Sequence, residues 1–362
     1  MTEEPERRNI AQLRHWGVLI VLSAAFGFAL YETGLPAAFL IGPMIAAIIL
    51  GVANARLAVP RWGFAAAQAI IGCLVARALT ASILVTLAKG WAPMLLVVAS
   101  TIAAGAAVGW VLTRFRVLPG TTAAWGSTPG AASVMVAMAA EYGADVRLVG
   151  FMQYLRIVIV VLTASLVAHL LLGPAAAPVT EVVPSSVFAV NGSLAVSPIA
   201  LLETLALAAI AAAIARWTKL PGGGVLIPMG LAVVAQSTGL VTITLPPWLL
   251  AVTYAGLGWY IGLGFNRDVL VYALHAIPKL LLATALLIGL CALSAWMLTW
   301  LLGIDPLTAY LATSPGGLDS VAIIAISGHA NIPFVLAVQT MRVFAVILTG
   351  PQIAKLIVRF SK

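Results

Sequence analysis

Ser127-Thr128-Pro129-Gly130, followed by Gln153-Tyr154-Leu155-Arg156, decides the fold of this chain because the pattern occurs twice. The second copy is Thr313-Ser314-Pro315-Gly316, followed by Gln339-Thr340-Met341-Arg342; Pro, Gly, Gln and Arg recur at one offset of 186 residues. Each Gln-x-x-Arg lies inside a long apolar run, where a charge is expensive and usually marks function. A repeated helix breaker followed by a repeated buried arginine is typical of membrane proteins built from two internal repeats.

The composition places nearly the whole chain in a membrane. Of its 362 residues 62% are hydrophobic and only 8% are charged, and the mean hydropathy is +1.11. Apolar runs long enough to span a bilayer recur along the whole length, and no polar segment is long enough for a separate soluble domain. The sequence therefore predicts an all-α integral membrane protein whose surface contacts the lipid bilayer.

The formal net charge of +8 raises the question of a nucleic-acid partner. The basic residues, however, are scattered at the ends of apolar runs, as the positive-inside rule describes. They form no basic surface with interleaved aromatic residues. We therefore expect no nucleic-acid partner.

Each half of the chain contains six apolar elements. In the first half they lie near residues 16–32, 36–52, 62–80, 91–113, 119–144 and 147–172, and in the second near 198–216, 221–238, 247–265, 277–302, 306–330 and 332–357. Further landmarks recur at almost the same offset, because Pro43-Met44 matches Pro228-Met229 and Gly72 matches Gly258. Duplication explains so many shared offsets better than coincidence does.

The fifth element of each half is expected to be broken. Pro129 and Pro315 remove a backbone donor and the glycine after each weakens the helix. Such a break is tolerated at membrane depth only where protein or a wet cavity surrounds it. Two arrangements are open: a broken helix that crosses the membrane, or a re-entrant hairpin that returns to the side it entered.

The distribution of basic residues favours the hairpin. With five crossings and one hairpin in each half, most Lys and Arg residues fall on the side of the N-terminus, and the acidic linker falls on the other side. The residues placed inside are Arg7, Arg8, Arg14, Arg56, Arg61, Arg114, Arg116, Arg147, Arg216, Lys219, Arg267, Lys279, Lys355, Arg359 and Lys362; Lys89 and Arg77 are the exceptions.

An odd number of crossings gives the two halves opposite orientations. The sequence thus predicts a first membrane repeat over 1–172, an extracytoplasmic linker over 173–197 and a second, inverted repeat over 198–362, with about ten transmembrane helices, two re-entrant hairpins and cytoplasmic termini.

Single cysteines introduced into the linker should react with a membrane-impermeant maleimide added outside intact cells. Labelling from the cytoplasmic side alone would contradict the inversion.

Arg156 and Arg342 are the strongest site candidates. Each lies about 15 Å into its span at 1.5 Å per residue, near the middle of the membrane, where an unpaired arginine costs about 2.5–3.5 kcal/mol. Two roles are open for each: to attract an anionic substrate group, or to bond the carbonyls of the broken backbone or a carboxylate such as Asp319. Gln153 and Gln339 lie one turn earlier on a similar face and are candidate polar ligands or helix-packing residues.

The two breaks supply a second set of candidates. The half-helix that restarts after Gly130 or Gly316 points its positive N-terminus into the membrane, which suits an anion. Ser127, Thr128, Thr313 and Ser314 add hydroxyl ligands to the substrate site. Ser133 in the first half corresponds to Asp319 in the second, so we expect a coupling-ion site for Na⁺ or H⁺ there, with a counter-ion role for Asp319 as the alternative.

No metal site, cofactor or catalytic residue is predicted. The four His and two Cys are dispersed and form no recognisable ligand spacing. We therefore expect neither a bound metal nor an enzyme, and the coupling ion is the one small cation that the sequence suggests.

At the residues quoted above the chain resembles the AbrB-type membrane protein family, often labelled as ammonia monooxygenases or regulators. The resemblance covers nearly the whole chain and is carried by the duplicated segments 35–44 and 220–229, and 129–156 and 315–342. It implies a duplicated domain in the bacterial inner membrane with a poorly defined substrate. The expected architecture also looks like that of citrate/sodium and glutamate/sodium symporters, a likeness of fold that names no substrate.

Three functions follow as expectations. The first is a secondary active transporter for a small anionic solute such as an organic acid, coupled to Na⁺ or H⁺, with elevator-type alternating access and a homodimeric assembly. The second is a membrane sensor or regulator without transport. The third, a membrane-bound monooxygenase, would require a copper or iron site that four scattered His and two separated Cys do not supply.

Overall fold

The computed structural model describes residues 3–33, 38–55, 57–77, 81–118, 120–172, 197–220, 223–316, 321 and 330–360. These residues form thirteen helices and no strand. The helices are α1 Glu3–Glu32, α2 Ala38–Val52, α3 Arg61–Arg77, α4 Ala81–Arg114, α5 Gly120–Ser127, α6 Ala132–Glu141, α7 Val146–Leu172, α8 Pro198–Thr218, α9 Gly223–Ser237, α10 Pro247–Gly262, α11 Arg267–Leu302, α12 Pro306–Thr313 and α13 Ile332–Phe360. The prediction of an all-α membrane protein is confirmed.

Six helices in the described part of the chain are long and apolar enough to cross a membrane. Their spans are Gln12–Glu32, Gly90–Arg114, Val146–Ala164, Pro198–Thr218, Arg267–Leu302 and Ile332–Phe360. The helices α2, α3, α9 and α10 have 15 to 17 residues, so each extends about 22–26 Å, less than the roughly 30 Å of a hydrocarbon core. The number of ten crossings therefore stays a prediction.

Several helices extend beyond the apolar runs that predicted them. The helix α1 begins at Glu3 rather than near residue 16, and α11 begins at Arg267 rather than near residue 277. The helix α4 likewise begins at Ala81 and bends at Gly90, whose φ is −127°, three residues before Pro93. Hydropathy detects the apolar part of a helix, whereas backbone hydrogen bonding continues through the charged residues beyond it.

The short helices of the two halves pack crosswise on each other. At Gly72 in α3, an added Cβ would lie 2.7 Å from the Val225 carbonyl oxygen and 2.9 Å from the Pro228 Cβ of α9. At Gly258 in α10, it would lie 2.6 Å from the Leu40 carbonyl oxygen of α2. Small residues allow such close backbone approach between membrane helices. The repeated Gly and Pro landmarks are thus the contact points between the halves.

The helices group into two bundles. We name α1, α2, α3, α8, α9 and α10 the first bundle, and α4, α5, α6, α7, α11, α12 and α13 the second bundle; the extensive helix contacts lie within each. Smaller contacts between the bundles join α3 and α9 to α6, and α10 to α7. Each bundle takes helices from both halves of the sequence, so the spatial units differ from the sequence repeats.

Both broken elements end beside their own beginning. The backbone N–H of Asp145, just before α7, donates to Thr122 Oγ1 in the first turn of α5 at 3.0 Å. The backbone N–H of Asn331, just before α13, donates to Thr308 Oγ1 in the first turn of α12 at 2.9 Å. A crossing element of this length would separate its ends by about 30 Å. The chain therefore folds back on itself in both places, and we name the two elements hairpin 1 (120–144) and hairpin 2 (306–330).

The start of α7 is fixed by an ion pair at this hairpin base. Arg147 Nη2 lies 2.7 Å from Asp145 Oδ2, and Arg147 Nη1 donates to the Gly264 carbonyl of the loop after α10 at 2.8 Å. Burial raises the pKa of Asp145, but the hydrogen bonds and charge of Arg147 outweigh it and hold that pKa below its ordinary value. Ionised Asp145 therefore anchors hairpin 1 next to the first bundle.

The crosswise packing gives a prediction with a control on the same helix. Gly258→Ala should destabilise the protein by about 1–3 kcal/mol, because its methyl group has no room against α2. Gly256→Ala, where nothing lies within 4 Å of an added Cβ, should be neutral or stabilising by up to about 1 kcal/mol, since alanine favours the helix. Thermal unfolding in detergent measures both. Equal melting temperatures for the two variants would contradict the close contact.

Candidate functional site

The tip of each hairpin is a helix that stops because of its proline. The helix α5 ends at Ser127 and α12 ends at Thr313, each two residues before its proline, Pro129 or Pro315. Proline has no N–H, and it disfavours helical geometry at the residue before it. Ser314 accordingly has an extended backbone, with φ −52° and ψ 131°. We name the segments around Pro129 and Pro315 tip 1 and tip 2.

Each proline leaves a carbonyl without its helical partner, and the glutamine of Gln-x-x-Arg supplies the missing donor. In an intact helix the N–H of residue 129 would bond the Trp125 carbonyl four residues earlier. Gln153 Nε2 donates to that Trp125 carbonyl at 2.7 Å. In the second half Gln339 Nε2 donates to the Leu311 carbonyl, four residues before Pro315, at 2.8 Å.

The arginines bond the carbonyls at the breaks themselves. Arg156 donates from Nη1 to the Thr128 carbonyl at 2.9 Å and from Nη2 to the Gly130 carbonyl at 3.3 Å. The Arg342 guanidinium repeats the arrangement, donating to the Ser314 carbonyl at 2.6 Å and to the Gly316 carbonyl at 3.0 Å. The same offset of 186 relates the donors and acceptors of these four bonds in the two halves. Both arginines therefore bond the interrupted backbone of their own half. Contact of either arginine with a substrate anion stays a prediction.

The site is closed to solvent. Arg156 and Arg342 are each 1% exposed, and Gln153, Ser127, Thr313 and Ser314 are 0% exposed. The hydroxyls of Ser127 and Thr128 donate to the Ala124 carbonyl, and Thr313 donates to the Ala309 and Tyr310 carbonyls. Their lone pairs, which accept hydrogen bonds, remain available. A ligand reaches these groups only if the helices around the tips separate.

Several buried polar atoms at the tips have no hydrogen-bond partner. They are Nε of Arg156, Nε of Arg342, Oε1 of Gln153 and Oγ of Ser314. The two halves differ here, because Oε1 of Gln339 accepts a hydrogen bond from Arg342 whereas Oε1 of Gln153 accepts none. Buried donors and acceptors of this kind are costly unless something completes them.

The two tips lie close to each other. Gly316, which accepts from Arg342, packs so closely against α7 that an added Cβ would lie 3.2 Å from Val160 Cγ1, one turn after Arg156. The Cys291 thiol on α11 is close enough to both guanidinium groups to interact electrostatically with each. Arg342 is also close enough to Arg156 for their charges to repel. The pairs that the sequence places 186 residues apart therefore lie near each other in the fold.

The predicted coupling-ion residues are placed only in part. Ser133 lies in the first turn of α6 and is half-buried. Asp319 lies outside the described residues, and so does most of the linker 173–197. No three His, Cys, Asp or Glu side chains among the residues described come together as a metal site.

Some residues of the site were not predicted from the sequence. Thr122 and Thr308, which close the hairpins, are identical residues at the offset of 186, and Asp145 and Asn331 are a matching acid and amide. The repeat offset alone could have found them. Glu141 carried no such signal: its Oε1 accepts from Gln68 Nε2 at 3.0 Å and from the Gly224 N–H at 3.2 Å, and it joins α6 to α3 and α9.

Gln153 supplies the hydrogen-bond donor that Pro129 lacks, so the effects of mutating these two residues on the free energy of unfolding should be coupled. Gln153→Leu should destabilise the protein by about 1–3 kcal/mol, because the Trp125 carbonyl loses its partner. In a Pro129→Ala background the loss should be smaller, since the introduced alanine brings its own N–H to that carbonyl. A double-mutant cycle by thermal unfolding measures the coupling. Gln339 and Pro315 provide an independent second cycle, and additive effects in both cycles would refute this role.

The chain is similar to known proteins over nearly its full length. Residues 39–358 match the family model described as "Transition state regulatory protein AbrB". The chain is 47% identical over 347 residues to "Putative regulator AbrB" of Escherichia coli (strain K12), covering 96% of this chain and 97% of that protein. It is 29% identical over 356 residues to "Uncharacterized protein YhjN" of Bacillus subtilis (strain 168), covering 93% and 92% of the two chains. A duplicated, largely apolar helical chain with this match is a multi-pass membrane protein that belongs to the AbrB family.

Proposed function

We propose that the protein is a secondary active transporter that moves a small anionic solute, such as an organic acid, together with Na⁺ or H⁺. The observation that carries the proposal is the pair of buried guanidinium groups at the meeting tips. In the described part of the chain, no carboxylate forms an ion pair with Arg156 or Arg342. Two neighbouring positive charges in an apolar interior call for an anion.

The carbonyls at the breaks do not remove this requirement. Each carbonyl is a dipole that satisfies an N–H donor, but its charge sums to zero and leaves the cation uncompensated. A buried charge is ordinarily paired with an opposite charge. An anionic substrate would supply that charge and would also meet the unpartnered Nε atoms of Arg156 and Arg342.

The division into two bundles supports alternating access. Both tips and both arginines belong to the second bundle, whereas the crosswise contacts at Gly72 and Gly258 hold the first bundle together. Movement of the second bundle against the first would carry the site between the two sides of the membrane as a unit. The contact of Glu141 with Gln68 and Gly224 would break and reform during that movement.

Asp319 and Ser133 are the proposed coupling-ion ligands. Asp319 lies three residues after Gly316 of tip 2, and Ser133 lies three residues after Gly130 of tip 1. Carbonyl and hydroxyl oxygens near the tips would complete a site for Na⁺, and a protonated Asp319 would serve H⁺ coupling. We also propose a homodimer in the bacterial inner membrane with both termini cytoplasmic.

The test is uptake of small anions into proteoliposomes under an imposed Na⁺ or H⁺ gradient. Arg156→Ala and Arg342→Ala should each abolish gradient-driven uptake. Each should also abolish stabilisation by the substrate, which is about 2.7 kcal/mol at a hundredfold excess over the dissociation constant. Arg359→Ala is the matched control, because Arg359 lies on α13 with Arg342 but is exposed.

The coupling residue has its own outcome in the same assay. Asp319→Asn should retain anion exchange across the membrane and lose the dependence on the cation gradient. Uptake that survives both arginine substitutions would refute the anion site. Stabilisation by an anion without any uptake would instead favour a sensor, the alternative in keeping with the word "regulator" in the name of the Escherichia coli relative.

We propose no enzymatic activity, cofactor or resident metal. Metal analysis of the purified protein tests this directly, since a monooxygenase would contain stoichiometric copper or iron. Light scattering that gives the mass of one protomer plus detergent would reject the homodimer.

A further inference from the structure

Each buried arginine offers one unused donor. The Nη atoms of Arg156 and Arg342 are held by the carbonyls of their own tips, and the Nε atom of each has no partner. A carboxylate binds a guanidinium side-on through Nε and one Nη, with two parallel hydrogen bonds. Arg342 Nη2 also donates to Gln339 Oε1, so the edge formed by Nε and Nη2 is open at Arg156, whereas Arg342 keeps its Nε N–H for an anionic group.

The two unpartnered donors lie near each other in the fold. Gly316 of tip 2 packs on Val160, one turn after Arg156, and Cys291 lies near both guanidinium groups. Glycine occupies the position of Cys291 in the first half, Gly105, and its added Cβ would lie 2.4 Å from Pro129 Cδ. By the repeat, Cys291 corresponds to a position that packs against tip 1, and a ligand near its thiol would be close to both arginines.

We propose that the substrate of this site is a divalent anion with two separated anionic groups, a dicarboxylate, that places one group at Arg156 and the other at Arg342. The inference rests on the proposed function and narrows its substrate class. A monoanion would compensate one guanidinium and leave the second buried without a counter-charge. A dicarboxylate compensates both and supplies an acceptor to each unpartnered Nε.

Succinate and butyrate test this divalency, because both have four carbons and differ by one carboxylate. Dissociation constants come from the dependence of the melting temperature of the unmodified protein on ligand concentration, at neutral pH and with Na⁺ present. Succinate should bind about 10- to 150-fold more tightly, the range expected for one additional hydrogen-bonded charge at 1.4 kcal/mol per tenfold.

Substitution of one arginine should change selectivity rather than merely weaken binding. Arg156→Gln and Arg342→Gln each leave a single charge, so the preference for succinate should fall to within about threefold of butyrate. Arg156→Lys keeps the charge and should retain the preference at lower affinity. Arg359→Gln, on the exposed end of α13, should behave as the unmodified protein.

The possible outcomes distinguish a failure of the dicarboxylate inference from a failure of the proposed anion transport. Equal affinity for succinate and butyrate, removed by either Gln substitution, would overturn divalency and leave an anion transporter. Binding of neither anion, together with no gradient-driven uptake of any anion, would overturn both. The comparison of the two ligands on unmodified protein decides divalency even where a Gln variant fails to fold.

Discussion

The structure depends on one interaction, the donation of hydrogen bonds from Gln-x-x-Arg to the carbonyls of an interrupted helix. Lipid cannot satisfy a backbone carbonyl, so a break at membrane depth requires a donor from the protein. Pro129 removes the N–H that Trp125 would receive, and Gln153 Nε2 replaces it at 2.7 Å. Arg156 then bonds the carbonyls of the residues on either side of Pro129. The spacing of three places both donors on one face of α7, which explains why glutamine and arginine occur together in each half.

Sequence reasoning recovered this framework because the framework is duplicated. A single Pro-Gly or a single buried arginine would be ambiguous, but a shared offset of 186 showed that both belong to one unit. It left two roles open for Arg156, since the sequence carries no distance between a guanidinium and a carbonyl. It also missed the full extent of α1 and α11, because hydropathy ends where the polar surface begins and the helix does not. The packing of α3 on α9 was not predicted, because contacts between helices of different halves leave no periodic signal in the local sequence.

The two halves share the residues that form and bond the interrupted backbone, and they differ in the side chains around those residues. Gln, Arg, Pro and Gly are identical at the tips, and so are Thr122 and Thr308 at the hairpin bases. By contrast, Trp125 corresponds to Leu311, Tyr154 to Thr340 and Gly105 to Cys291. The backbone supports must stay, because an unsatisfied break would cost about 1–3 kcal/mol per carbonyl. The neighbouring side chains are free to differ, so a symmetric scaffold surrounds an asymmetric centre.

The chain path limits how the two bundles could move. It passes from the first bundle to the second after α3 and again after α10, at equivalent positions of the two halves, and it returns once between α7 and α8. Any relative movement must therefore be absorbed at these connections. At the second of them Arg147 holds the Gly264 carbonyl while pairing with Asp145 at the base of hairpin 1. Because hairpin 1 is tied to α7 through both this base and Arg156, the hairpin and its arginine must move together. A bound anion would then travel with the second bundle, since the groups that hold it remain fixed relative to one another.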